Sequence, residues 1–97
     1  MKLSFHGAAG DVTGSCYILE CADGTYYTGW AIDPEKRVQI HNRGRGAKYT
    51  KMRLPVKLVY IEEQPDRVTA MKCELAIKRL GRAGKMKLIV ESRQVDK

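Results

Sequence analysis

The sequence predicts a small α+β domain: a three-stranded, mainly antiparallel sheet flanked by helices. Three observations predict it. Two short apolar and aromatic runs flank Ala22-Asp23-Gly24, and an Asp-Gly step between such runs signals a hairpin. A third run, residues 56–61, follows Pro55. Helix-start signals and helical apolar spacing occupy the remaining segments. At 97 residues the chain has room for one core.

The elements follow in chain order. Residues 16–21 and 25–30 are the hairpin strands, carrying Tyr17 and Tyr27. Asp33 is suited to cap a helix, and Pro34 sits where a first-turn proline is tolerated. That helix should reach Asn42, with Arg37 and His41 one turn apart on one face. Arg43-Gly44-Arg45-Gly46 ends it and opens a basic loop through Thr50. The strand at 56–61 reads as the most buried. Gln64-Pro65-Asp66 breaks the chain, and Asp66 or Thr69 introduces a helix that runs to about Leu80. Its apolar face is Cys73, Ala76, Ile77 and Leu80. A last short helix, residues 82–90, should pack Met86, Leu88 and Ile89 inward. The expected organisation is a leader at 1–14, one domain at 15–90 and a frayed tail at 91–97.

Several classes are excluded. No apolar run approaches the roughly 20 residues of a membrane helix. The first residues lack the apolar stretch of a signal peptide, so a cytoplasmic protein is expected, with no membrane partner. The Gly7–Gly14 segment lacks the Gly-Lys-Ser/Thr of a phosphate loop. Cys16, Cys21 and Cys73 form no zinc spacing and no complete disulfide framework. All three are expected to be small apolar residues.

Charge points to a polyanion. Lys plus Arg number 18 against 11 Asp plus Glu, for a formal net charge of +7. Between Lys36 and Ile61 there are eight basic residues and no acid. Arg43, Arg45, Lys48, Lys51 and Arg53, with Tyr49 among them, form the expected nucleic-acid-binding stretch. The alternative is a solvated face that keeps the protein soluble.

Longer stretches carry a resemblance. They are residues 17–25, Tyr27-Thr28-Gly29, Asp33 to Arg37, His41-Asn42, Gly44, residues 46–50, residues 53–60, and Glu74 to Leu80. From Tyr17 to about Ile89 this ordered set resembles the small stand-alone GIY-YIG nucleases of the UPF0213 type. The resemblance covers about three-quarters of the chain. It implies that Tyr17 and Tyr27 are the tyrosines of the first and second motifs, and Gly29 the glycine of the second. It implies that Arg37 and His41 are active-site residues and that Glu74 holds a divalent ion, Mg²⁺ or Mn²⁺. The first motif departs from its name, because Ser15-Cys16-Tyr17 stands in place of Gly-Ile-Tyr. Gly81 and Gly84 stand where many relatives have a Ser-x-x-Glu capping box before the last helix.

Residues 1–20 also resemble the opening of metallo-β-lactamase-fold RNA-processing hydrolases. Those enzymes need a His-x-His-x-Asp-His cluster. This chain has only His6 and His41, which excludes that chemistry. His6 is expected to be an exposed leader residue.

The residue types suit phosphodiester hydrolysis. Glu74 is a hard oxygen ligand, and such an ion polarises phosphate and stabilises a leaving oxygen. Arg37 can hold phosphate through two donors. A tyrosine base is handicapped by a reference pKa of about 10, so about one in a thousand is ionised at pH 7. Arg37, the ion or the basic loop would have to lower that pKa, or a protonated His41 would have to assist. The expectation is a metal-dependent DNA endonuclease with Tyr27 as base, Tyr17 and His41 in support, and no small-molecule cofactor. The alternative is a nucleic-acid-binding module, or an inactive hybrid, of the same fold. Structural roles remain the plain alternative for each residue: packed tyrosines in strands, and Glu74 pairing with Lys78.

Overall fold

A computed structural model describes residues 13–95. The expected leader and His6 lie almost wholly outside the described residues. The elements are β1 (Gly14–Glu20), β2 (Tyr26–Ala31), α1 (Pro34–Asn42), α2 (Lys48–Lys51), β3 (Lys57–Gln64), α3 (Arg67–Lys78) and α4 (Gly81–Val95). The sheet order is β2-β1-β3, and both pairings are antiparallel.

β1 is the centre of the sheet, and its pleat sorts the core into two layers. Cys16 and Ile18 face one side, where Ile77 of α3 and Ile89 of α4 complete a buried cluster. Tyr17 and Leu19 face the other side with Cys21 and Val56, and Val38 of α1 packs there. Helices therefore cover both faces of a thin sheet. Asp33 caps α1 by accepting from Lys36 N at 3.1 Å. Asp66 caps α3 by accepting from Thr69 N at 2.8 Å. No helix among the described residues is long and apolar enough to cross a membrane.

Five expectations change. β3 is an edge strand, mostly half-buried or exposed, and β1 is the buried one. An apolar run shows that a strand packs; it does not show how many neighbours pair with it. Residues expected as basic loop form the short helix α2, where Thr50 Oγ1 lies 3.0 Å from Ala47 O. α4 continues to Val95, past the expected end near Val90. Leu80 and Met86, expected to pack inward, are 47% and 43% exposed.

The fifth change concerns the cysteines. Cys21 is buried and free, as expected, but Cys16 and Cys73 are joined in a disulfide. The pair is 57 residues apart, so no local spacing announces it. Packing α3 across β1 brings the two side chains together. The bond lies one residue from Tyr17 and one residue from Glu74.

Candidate active site

The hairpin register places the first pair of site residues. Tyr17 on β1 lies opposite Gly29 on β2. A Cβ on Gly29 would stand 2.7 Å from the Tyr17 hydroxyl and 3.2 Å from Tyr27 Cε2. Only a glycine lets both rings share this patch of sheet. Tyr17 is 1% exposed and Tyr27 is half-buried.

α1 supplies the second pair. His41, in its last turn, is wholly buried against the tyrosines. Its ring packs edge-on to Tyr27 at 5.3 Å and to Tyr17 at 6.4 Å between centroids. His41 Nε2 is 3.3 Å from the Tyr17 hydroxyl. Arg37, one turn earlier, is exposed, and its charge acts on both Tyr17 and His41.

These surroundings set protonation. Burial pushes the Tyr17 phenol up to about 12; the nearby Tyr27 and Glu74 add to this, and Arg37 works against it. Burial, and then Arg37, hold His41 below its ordinary value of 6.5. The histidine is therefore neutral at pH 7. Among the ways of assisting a tyrosine base, that disfavours a protonated His41: desolvation and a like charge both oppose the imidazolium.

Glu74 reaches the group from α3. It is close enough to act on Tyr17, and its Oε2 pairs with Lys78 Nζ at 2.9 Å. The plain expectation for Glu74, pairing with Lys78, is thus observed. Among the described residues, the group able to hold an ion through three side chains is Cys16, Glu62 and Cys73. Its two sulfurs are bonded to each other, so they are not available as thiolates. Glu74 offers one carboxylate, the hard donor that Mg²⁺ or Mn²⁺ takes when water and substrate oxygens complete the shell.

The basic stretch divides. Arg43, Arg45, Lys48 and Lys51 are exposed around the turn that follows His41. Arg53 is engaged internally: it donates to Asp23 at 3.1 Å and to Tyr49 O at 2.8 Å, and lies 3.9 Å above the Tyr49 ring. Tyr49 also stacks on Tyr27 at 6.0 Å between centroids and stays 38% exposed. Beside Arg37, a cavity of about 430 Å³ opens between β2 and α1, with Trp30, Ile32, Lys36 and Ile40 in its lining.

Three residues at the site carry roles that the sequence left unassigned. Thr50 is wholly buried and meets His41 Nδ1 at 2.7 Å. Gly46 lies so close to the imidazole that a Cβ would stand 2.6 Å from Cγ. Asn42 ties α1 to β3 by accepting from Val56 N at 2.7 Å and donating to Val56 O at 3.0 Å. The available signals were Asn42 beside His41 and the uninterrupted Gly46-Ala47-Lys48-Tyr49-Thr50 run, both within the resemblance.

Comparison with known proteins agrees with this architecture. The GIY-YIG catalytic-domain model matches residues 13–88. A UPF0213 protein of Syntrophus aciditrophicus (strain SB) is 52% identical over 77 residues, covering 78% of this chain and 88% of that one. A UPF0213 protein of Staphylococcus saprophyticus is 53% identical over 75 residues, covering 77% and 92%. Among solved structures, a UPF0213 protein of Bacillus halodurans, determined by solution NMR, is 40% identical with a TM-score of 0.53, covering 81% of this chain and 84% of that one. A protein of E. faecalis is 34% identical with a TM-score of 0.57, covering 87% and 92%.

Proposed function

The chain belongs to the GIY-YIG catalytic-domain family, a nuclease family, and on that premise we propose that it is a metal-dependent endonuclease hydrolysing phosphodiester bonds in DNA. The observation that carries the reading is the convergence of Tyr17, Tyr27 and His41, with the Arg37 charge beside the Tyr17 hydroxyl. The catalytic domain spans residues 15–90, and its place of action is the cytoplasm.

Each side chain has a task. Arg37 holds the non-bridging oxygens of the scissile phosphate and stabilises the charge that builds on them. Tyr27, once deprotonated, takes the proton of the attacking water as the water oxygen adds to phosphorus and the bond from phosphorus to the leaving oxygen breaks. Tyr17 remains a neutral phenol, because burial raises its pKa to about 12. It serves as a hydrogen-bond donor that orients phosphate or water, and neutral His41 holds it in place. Glu74 would hold Mg²⁺ or Mn²⁺, which when bound supplies positive charge to the phosphate and the leaving oxygen. Arg43, Arg45, Lys48 and Lys51 draw in the backbone of the duplex. Gly29 keeps the tyrosine face open.

The test is a cleavage assay on labelled duplex, single-stranded, nicked and branched DNA and on RNA, with Mg²⁺, Mn²⁺ or a chelator. Metal-dependent cutting of DNA that disappears in Glu74→Ala, with the thermal melt retained, supports the reading. Salt-sensitive binding with no cutting of any substrate overturns it and favours a binding module.

A further inference from the structure

We propose that Thr50 is a positioning residue: its hydroxyl and the Ala47 amide both donate to Nδ1 of His41, keeping the ring proton on Nε2 and directing it at the Tyr17 oxygen. His41 then donates to Tyr17 and does not accept its proton.

The direction of the bonds follows from which hydrogens can move. The backbone fixes the Ala47 N–H, which points at His41 Nδ1 with a separation of 3.4 Å. This N–H has no other acceptor among the described residues. A hydroxyl hydrogen, by contrast, rotates to suit its neighbours. Thr50 Oγ1 is 2.7 Å from Nδ1 and 3.0 Å from Ala47 O. Ala47 O already accepts from Lys51 N at 3.1 Å, so it needs nothing from Thr50. Placing a proton on Nδ1 would aim the Ala47 N–H at another N–H and leave it unsatisfied. Placing it on Nε2 satisfies Ala47, Thr50 and His41 together.

The surroundings support a neutral ring with one proton. His41 is wholly buried and held below its ordinary pKa. Gly46 lets the turn lie flat against the imidazole, where a Cβ would meet the ring. With Nε2–H donating at 3.3 Å, the Tyr17 oxygen is occupied on its His41 side. Its own proton then has no acceptor among the described side chains. It is left for an oxygen from outside the protein: water or a substrate phosphate.

The kinetic arm of this inference rests on the nuclease reading; the spectroscopic arm does not. In the full chain, nitrogen-15 NMR of the two histidine rings at pH 7.5 reads the tautomer directly, with a His6→Gln variant assigning His41. We expect the proton on Nε2. In Thr50→Val, the Nδ1 resonance should move to that of an unbonded imidazole nitrogen. The kcat should fall about tenfold, at the low end for losing the orienting partner of a site histidine, with KM unchanged. Thr50→Ser should restore both. A proton on Nδ1 in the wild type overturns the proposal, even if Thr50→Val fails to fold. So does a Thr50→Val protein with unchanged ring signals and unchanged kcat. An Nε2 proton in a chain that cuts nothing upholds the tautomer and overturns the nuclease reading.

Discussion

Tyr17 lies across Gly29, its cross-strand partner, so closely that a Cβ there would stand 2.7 Å from the phenol oxygen and 2.9 Å from Cζ. The glycine is therefore part of the Tyr17 site. Gly29→Ala should force the ring aside, because the obstacle is the phenol held against His41. The expected cost is about 1–3 kcal/mol of stability, as for other overpacked sites. Cleavage should fall at least about tenfold, as for a misplaced catalytic group. A thermal melt and a cleavage rate on the same sample check both; unchanged rates would remove Gly29 from the site.

An ion at Glu74 would compete with Lys78 for the carboxylate. That pair is an i,i+4 contact with the lysine half exposed, so it is a weak tether. Lys78→Met should tighten divalent binding slightly and leave the melt nearly unchanged. Glu74→Gln should abolish binding. Paramagnetic broadening by Mn²⁺ of the amides around residue 74 reads both; equal broadening in Glu74→Gln and wild type would place the ion elsewhere.

Stability should bend at both ends of the pH scale. His41 has a folded pKa depressed by burial and by Arg37, so the unfolded chain binds that proton more readily. Its contribution is complete above 6.5 and is lost as pH falls through the folded value. Tyr17 has a folded pKa raised to about 12, so its contribution holds up to pH 10 and is lost between 10 and 12. Tyr60, also pushed up to about 12, adds to the alkaline loss. Melting temperatures should fall below pH 6.5 less steeply in His41→Gln than in wild type, and Tyr17→Phe should flatten part of the alkaline limb.

The Cys16–Cys73 bond closes a separation of 57 residues. A loop of that length implies about 4 kcal/mol of stabilisation in the chain-entropy view. A dithiol reductant should therefore lower the melting temperature by roughly 10 °C or more. Cys16→Ser should melt at the lowered temperature and ignore the reductant. An oxidised wild type that melts like the reduced one would remove the bond as a stabilising element.

Binding to duplex DNA should weaken steeply with salt. Arg43, Arg45, Lys48 and Lys51 are the exposed cations near His41, and each phosphate neutralised adds about −0.9 to the log–log slope. Replacing all four with Gln should flatten the slope by roughly 3–4. Arg53→Gln should act mainly on stability, since that side chain is engaged with Asp23 and Tyr49. An unaltered slope in the four-residue variant would locate the DNA elsewhere.

Much of this was legible along the chain because it is written in local chemistry. The Asp-Gly turn, the Asp33 and Asp66 caps and the i, i+4 spacing of Arg37 and His41 act over a few residues, and all appear where expected. The order of the sheet was not legible. β3 has the apolar content of a core strand yet lies at the edge, because its place depends on which side of β1 remains free. The tyrosines were readable as candidates, but their protonation was not. Burial, the largest influence on Tyr17 and His41, exists only once α1 closes over the sheet.

The amino-acid sequence by itself determined the hairpin, the third strand, the longer helices and the candidate residues for phosphate and metal. Turn, cap and periodicity signals are energies between near neighbours. The tertiary structure alone decided that Cys16 meets Cys73, that Gly29 makes room for Tyr17, and that Thr50 reaches His41. Those are contacts between distant or differently folded segments, and their distances are set only when helices pack on both faces of β1.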